Sequence, residues 1–319
     1  MFRTISFFLF SCFSFAATAG SVDNWLDKMS DAQSQQNYQG TLIVRQSDKL
    51  QAIKVKQGVH AGKSWQTLES QTGEDQIIFR KNGQVTTIFP IQKRITVSAE
   101  MGHNSKGPLH PALPKNRDKL KQLYHLKLGS QARVANKITQ IVQMIPRDKH
   151  RYGYTFWLDK QSGLLLKCDL INNRGRVLEQ LMYSDIELLD AAPQNQIDET
   201  KLAAYKKVML SNKADVTSKK WHAENIPAGF VMTRSVKNVD KNSSYHVVYS
   251  DGMASVSVFI EPTRKNQKHR AGGTSMGPVN VYSSFINNAH VTAIGEVPAS
   301  TVRMIAQSMH LVTHHADIP

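Results

Sequence analysis

Apolar and polar positions recur along this chain with two periods. At residues 24–38 the period is helical: Trp25, Leu26, Met29, Ala32 and Gln33 share one stripe, and Asp23 stands where it can cap the first turn. From Gly40 the period drops to two. Alternating runs at 41–46, 51–56, 65–69, 76–80 and 84–89 predict strands, with a further one at 94–98. Asn82-Gly83 is the strongest hairpin signal, because both residue types tolerate the positive φ of a two-residue hairpin turn. Residues 101–117, with Pro108, Pro111 and Pro114, predict a loop, and a short helix follows at 117–124.

Alternation resumes at 133–144, 152–158, 164–172 and 177–187, separated by the turns Lys160-Gln161-Ser162-Gly163 and Asn173-Arg174-Gly175. Strands joined this closely predict an antiparallel meander that curves into an open barrel. The pattern stops near Leu189. Residues 201–220 carry six lysines against Asp215 alone, so 190–220 reads as a partly helical, mobile, basic linker. A second domain is expected over 221–319. Its strands are predicted at 231–236, 246–250, 255–261, 279–285 and 290–294, with a turn at Ser250-Asp251-Gly252. A last helix fits 299–309, where Val302, Ile305, Ala306 and Met309 form one stripe. The fold class is therefore α+β: a large domain over 20–189 and a smaller α/β domain after the linker.

Residues 1–19 stand apart. Arg3, the uncharged run from Ile5 to Ala16 and Ala17-Thr18-Ala19 make a signal peptide with cleavage before Gly20. The run falls short of the roughly 20 residues of a spanning helix, and the mature chain is expected to be soluble. A lipoprotein box at Leu9-Phe10-Ser11-Cys12 is the rival. Cys168 is then the sole cysteine, in phase with Leu164, Leu166 and Leu170, which makes it a buried small hydrophobe. The formal net charge of +15 favours anionic partners, with nucleic acid least expected after export.

Tests for chemistry give little. Gly273-Thr274-Ser275-Met276-Gly277 satisfies G-x-S-x-G, yet Pro278 and an alternating run follow where a nucleophile elbow requires a helix. The segment reads as a flexible glycine-rich connection. His310 and His314 could begin a metal site, but no third ligand completes it. No phosphate loop, dinucleotide fingerprint or paired-cysteine motif occurs, so neither metal nor cofactor is expected and the function reads as binding. Apolar side chains are plentiful on the first domain's strands: Trp65, Phe79, Ile88, Phe89, Tyr154, Phe156, Trp157 and Leu178. They fill a core, or Trp65, Phe79, Ile88, Phe89, Phe156, Trp157 and Leu178 line a cavity for an acyl chain.

Longer stretches carry a resemblance. Arg151-Tyr152-Gly153-Tyr154-Thr155-Phe156-Trp157-Leu158-Asp159, then Ser162-Gly163-Leu164-Leu165 and Leu178-Glu179-Gln180, resemble the N-terminal domain of the RseB/MucB family. Ile226-Pro227-Ala228-Gly229-Phe230, Tyr249-Ser250-Asp251-Gly252 and Ile294-Gly295-Glu296-Val297-Pro298 resemble its C-terminal domain. The resemblance implies a half-open antiparallel barrel of the LolA/LolB kind crossed by helices, then a smaller domain. It implies a periplasmic regulator of the sigma-E envelope-stress response. Such a protein binds the periplasmic part of the anti-sigma factor RseA or MucA, shields it from site-1 cleavage, and is released by lipopolysaccharide or lipoprotein. It would sit at the inner membrane only through that partner, and self-association stays open. Tyr249, Asp251, Gly252 and Glu296 are the candidate partner contacts. The chain departs from the family pattern at Gly73-Glu74-Asp75-Gln76-Ile77, where an arginine-bearing stretch is usual. A lipid carrier without a regulatory partner is the alternative, and a hydrolase built on Ser275 a third.

Overall fold

The computed structural model describes residues 20–60, 62–99, 113–114, 116–194, 197, 199–210, 215–218, 220–238, 244–263 and 271–312. Residues 1–19, read above as a signal peptide, most of the segment expected to be a proline-rich loop, and His314 and His315 lie outside the described residues. Helix α1 (Val22–Gln35) opens the chain. Its cap is Ser21, whose Oγ accepts from the Asn24 N–H at 3.2 Å, while Asp23 lies in the first turn and pairs with Lys121 at 2.6 Å. Leu26, Met29 and Ala32 form its buried stripe.

Six strands follow: β1 (Asn37–Gln46), β2 (Lys49–His60), β3 (Lys63–Ser70), β4 (Ile77–Lys81), β5 (Gln84–Phe89) and β6 (Arg94–Ala99). The β4–β5 turn is the expected one, with Asn82 at φ 52° and Gly83 at φ 71°. Helix α2 (Arg117–Leu123) leads into β7 (Tyr124–Val134), β8 (Lys137–Pro146), β9 (Gly153–Asp159), β10 (Leu165–Ile171) and β11 (Val177–Leu189). The single run expected at 133–144 is divided, because Ala135 and Asn136 take φ 46° and 61° and turn the chain between β7 and β8. Alanine at positive φ is uncommon, so no turn signal marks the place.

Residues 190–220 differ from the expected linker. Helix α3 (Glu199–Leu202) and strand β12 (Lys206–Leu210) belong to the first domain, with β12 pairing in parallel with β6. Ile197, Leu202 and Tyr205 pack over Ile88, Ile95 and Val97. Burial of that apolar cluster outweighs the lysine-rich composition. The resulting sheet is open and twelve-stranded, in the order β12-β6-β5-β4-β3-β2-β1-β11-β10-β9-β8-β7. Both helices α1 and α2 pack on one face, here the inner face, with Leu42, Val55, Leu68, Val142, Met144, Phe156, Leu166, Cys168 and Leu181.

The second domain has β13 (Asp215–Thr217), β14 (Trp221–Ala223), β15 (Val231–Asn238), β16 (Ser244–Ser250), β17 (Ser255–Pro262), β18 (Gly272–Met276), β19 (Val279–Ile286), β20 (Ala289–Gly295), α4 (Ala299–Gln307) and β21 (Met309–Leu311). Seven of its strands form one sheet, β13-β15-β16-β17-β20-β19-β18, while β14 pairs with β21. Val302, Ile305 and Ala306 of α4 are buried against Val247, Val256, Val258 and Val291. The segment read as a glycine-rich connection is the exposed edge strand β18 of this sheet, with Met276 74% exposed.

Candidate functional site at the domain boundary

The loop between β8 and β9 is where the two domains meet. Its Arg151 is fully buried (0% exposed). Nη2 donates to Asp148 Oδ2 at 2.9 Å and to the Ala228 carbonyl at 2.6 Å. Nη1 donates to Asp251 Oδ2 across the boundary. The guanidinium also lies 5.3 Å from the Phe230 ring centroid. Asp251 is divided between two tasks, since its Oδ1 accepts the N–H groups of Met253 and Ala254 at 2.8 Å each. Burial works to raise the Asp148 carboxyl, but the hydrogen bonds from Arg151 and the His150 N–H outweigh it and hold the group below its ordinary value.

The flanking residues extend the contact. Asn280 Nδ2 donates to Tyr152 Oη at 3.0 Å and to the Val297 carbonyl at 2.7 Å, and Tyr152 Oη donates to the Pro278 carbonyl at 3.2 Å. Thr301 Oγ1 donates to the His150 carbonyl at 2.9 Å. Gly229, at φ +81°, brings its turn so close to α2 that a Cβ there would stand 2.6 Å from Leu123. Glu179 of β11 and Glu296, just after β20, bring two carboxyls to the same boundary. Burial raises Glu179 above its ordinary value. Burial, and then the charge of Glu179, pushes Glu296 up to about 7.

Two cavities adjoin this contact. A groove of 1190 Å³ runs beside α4, lined by Asp148 and His150 of the first domain and by Ile226, Pro227, Arg303 and Met304 of the second. A pocket of 360 Å³ opens on the inner face of the sheet, where the aliphatic Val44, Ile53, Leu68, Ile78 and Leu181 share the lining with polar groups including Gln46, Gln51, Gln76 and Glu179.

The seven residues expected to line one cavity do not share a face. Strand register puts Phe156 on the inner face with Cys168 and Leu181, and Phe89 on the face of Ile78 and Leu68. Trp65, Phe79 and Ile88 fall on the outer face. Trp65 and Phe79 pack together there with ring centroids 6.4 Å apart, and Ile88 is covered by the α3 segment. Trp157 is also outward, with Lys167 Nζ 4.0 Å over its ring, while Leu178, at a register shift between β10 and β11, packs partly buried against the first domain's core. Tyr154 stacks on Phe156 in the core at 5.8 Å. Aromatic content drew attention to these residues, whereas the inner pocket is lined by aliphatic and polar ones.

Of the candidate partner contacts, Asp251 and Glu296 are at the domain boundary and Gly252 lies against Pro114, 3.1 Å from where its Cβ would be. Tyr249 is a core residue whose Oη accepts the Ala223 N–H at 2.6 Å. Ser275 lies on a hairpin strand and donates to Asn280 Oδ1, so it has strands on both sides and no elbow. Among the described residues no cluster of His, Cys, Asp and Glu could hold a metal, and no helix is long and apolar enough to cross a membrane. Arg151 escaped sequence reasoning as a site residue, because its partner Asp251 is far away in the chain.

The MucB/RseB N-terminal domain model matches residues 21–203, and the MucB/RseB C-terminal domain model matches residues 215–310. The chain belongs to the MucB/RseB family. The sigma factor AlgU regulatory protein MucB of Pseudomonas aeruginosa is 28% identical over 304 residues, covering 92% of each chain. The sigma-E factor regulatory protein RseB of Haemophilus influenzae is 26% identical over 295 residues, covering 89% of each. A crystal structure of MucB in complex with MucA(peri) has 26% identity and a TM-score of 0.71, over 92% of this chain and 100% of that one. In this MucB/RseB chain the family matches end at 203 and resume at 215, while β12 continues the first sheet to Leu210.

Proposed function

We propose that this protein is an exported negative regulator of a sigma-E-type envelope-stress response that binds the periplasmic part of a membrane-spanning anti-sigma factor. The observation that carries this reading is the match to both family domains in order, together with the likeness across 92% of the chain to a MucB caught with MucA(peri). By this reading residues 1–19 are removed on export and the protein works in the periplasm. Bound, it shields the anti-sigma factor from site-1 proteolysis. The groove beside α4 suits an extended segment, since it offers an apolar wall at Ile226, Pro227 and Met304 and charged groups at Asp148 and Arg303.

Release by an anionic amphiphile is the second half of the proposal. The open sheet serves as a half-barrel around the 360 Å³ inner pocket, where an aliphatic patch of Val44, Ile53, Leu68, Ile78 and Leu181 suits an acyl chain and polar groups such as Gln51 and Gln76 line the rest. Because Glu179 belongs both to that pocket and to the domain boundary, filling the pocket bears on the boundary. The mature protein is expected to retain an anti-sigma periplasmic fragment in a pull-down, and added lipopolysaccharide to release it. No retention at low salt would overturn the reading. The inner pocket also supports the carrier alternative, which a lipid-transfer assay between vesicles separates: transfer without partner retention would replace the regulator.

A further inference from the structure

We propose that edge strand β18 is a strand-addition site, at which an extended segment of a protein partner pairs with the sheet and sets a carboxylate against Arg303. The two large sheets end in the edge strands β12, β7, β13 and β18. An open edge invites pairing with another chain, and proteins guard it with charge, bulges or brevity. Strand β12 carries Lys206 and Lys207, and β7 carries Lys127 and Arg133 with a register shift between Leu128 and Gln131. Strand β13 has three residues and begins at Asp215. Strand β18 has no such guard: Gly272-Gly273-Thr274-Ser275-Met276 is uncharged and exposed throughout, and its pairing with β19 runs without a shift.

The strand is already held in place. Ser275 Oγ donates to Asn280 Oδ1, and Asn280 Nδ2 donates onward to Tyr152 Oη and to the Val297 carbonyl. Beyond Met276 the Gly277 turn lies against the first domain, where a Cβ would stand 3.1 Å from Gln46. Pairing with an edge fixed in this way orders little besides the incoming segment.

Side chains decide what that segment carries. Gly273 and Tyr282 are cross-strand neighbours, and a Cβ on Gly273 would stand 3.3 Å from the Tyr282 ring. The ring therefore leans over Gly273. The Arg303 guanidinium lies 5.8 Å from the ring centroid. Gln307 fastens both, accepting from Arg303 Nε at 3.3 Å and donating to Tyr282 Oη at 3.0 Å. Among the described residues no carboxylate pairs with Arg303. Gly273, Tyr282, Arg303 and Gln307 all line the 1190 Å³ groove. Of the carboxylates there, Asp148 is engaged by Arg151, and Glu224 is tied through its N–H to the Ser308 carbonyl, more than a turn along α4 from Arg303. A residue added opposite Gly273 has no side chain between it and Tyr282, so an Asp or Glu there reaches the guanidinium. Side chains alternate between faces along a strand. The residue opposite Met276 therefore falls on the other face, against a methionine 74% exposed, and an apolar side chain suits it.

The identity of the partner rests on the anti-sigma reading, so the probe is the anti-sigma periplasmic fragment, added to a chain spanning residues 20–319. Amide hydrogen exchange in 272–276 is expected to slow about tenfold at saturation. By calorimetry, Arg303→Ala is expected to weaken binding about tenfold, and Arg303→Lys to recover little of it, since an ammonium lacks the two-pronged fit to a carboxylate. Binding that leaves exchange in 272–276 changed by less than about twofold, or that is as tight in Arg303→Ala as in wild type, would overturn the strand-addition site and leave the anti-sigma reading standing. No binding to the wild type would overturn both.

Discussion

Arg151 places a guanidinium, shut off from solvent, between carboxylates of two domains: Asp148 from its own and Asp251 from the other. Its removal leaves Asp251 buried and unpaired, which costs about 3–5 kcal/mol in comparable pairs. Arg151→Met is therefore expected to split urea unfolding of a chain spanning residues 20–319 into two transitions. Arg151→Lys is expected to restore little, since an ammonium cannot reach Asp148, Asp251 and the Ala228 carbonyl at once. A single transition in both variants would contradict this account. The pH sense at Asp148 is opposite to that at Glu296. Its depressed value adds stability that is present above the ordinary carboxylate range and lost as pH falls through the lower folded value. Nothing local in the sequence marks Arg151 as buried. The run from Arg151 to Asp159 was informative only through family resemblance, while Asp251 was visible as a turn residue but not as an ion-pair partner.

Elements governed by neighbouring residues were legible, and those governed by distant ones were not. The Asn82-Gly83 hairpin, the α1 stripe and the β9–β10–β11 meander follow from turn chemistry and period alone. Strand β12 does not, because its stability comes from pairing with β6 and from the Ile88–Leu202 cluster. Edge strand β18 was hidden by its glycines. The seven residues expected to line one cavity fall on both faces of the sheet, because strand register decides which face a residue serves. That difference is testable. Ile88→Ala is expected to cost about 2–4 kcal/mol in denaturant unfolding, while acyl-chain retention, read by native mass spectrometry, stays unchanged. Leu181→Trp, which fills the inner pocket, is expected to reduce retention more than stability. The opposite ranking would assign the outer face to ligand.

For the whole molecule, the inner pocket and the domain boundary lie close together: Glu179 lines the pocket, and its charge reaches Glu296 of the second domain. Composition had suggested two bodies on a mobile tether. The sheet instead carries the chain to Leu210, and among the described residues the second sheet begins at Asp215. Apart from β12, the first sheet is two meanders, β1 to β6 and β7 to β11, and among the described residues these pair only where β1 lies beside β11. That seam pairs Asn37 with Leu189, about 150 residues apart. Each meander can assemble from local hairpins, but the seam must wait until the last strand has arrived. Folding is then expected to be slow and limited by this one closure. Stopped-flow measurements should find that Leu42→Ala, at the seam, mainly slows folding, and an effect confined to faster unfolding would contradict closure as the barrier. Until the seam closes, β1 and β11 each present an unpaired edge, and the folding chain spends that interval open to pairing with other chains.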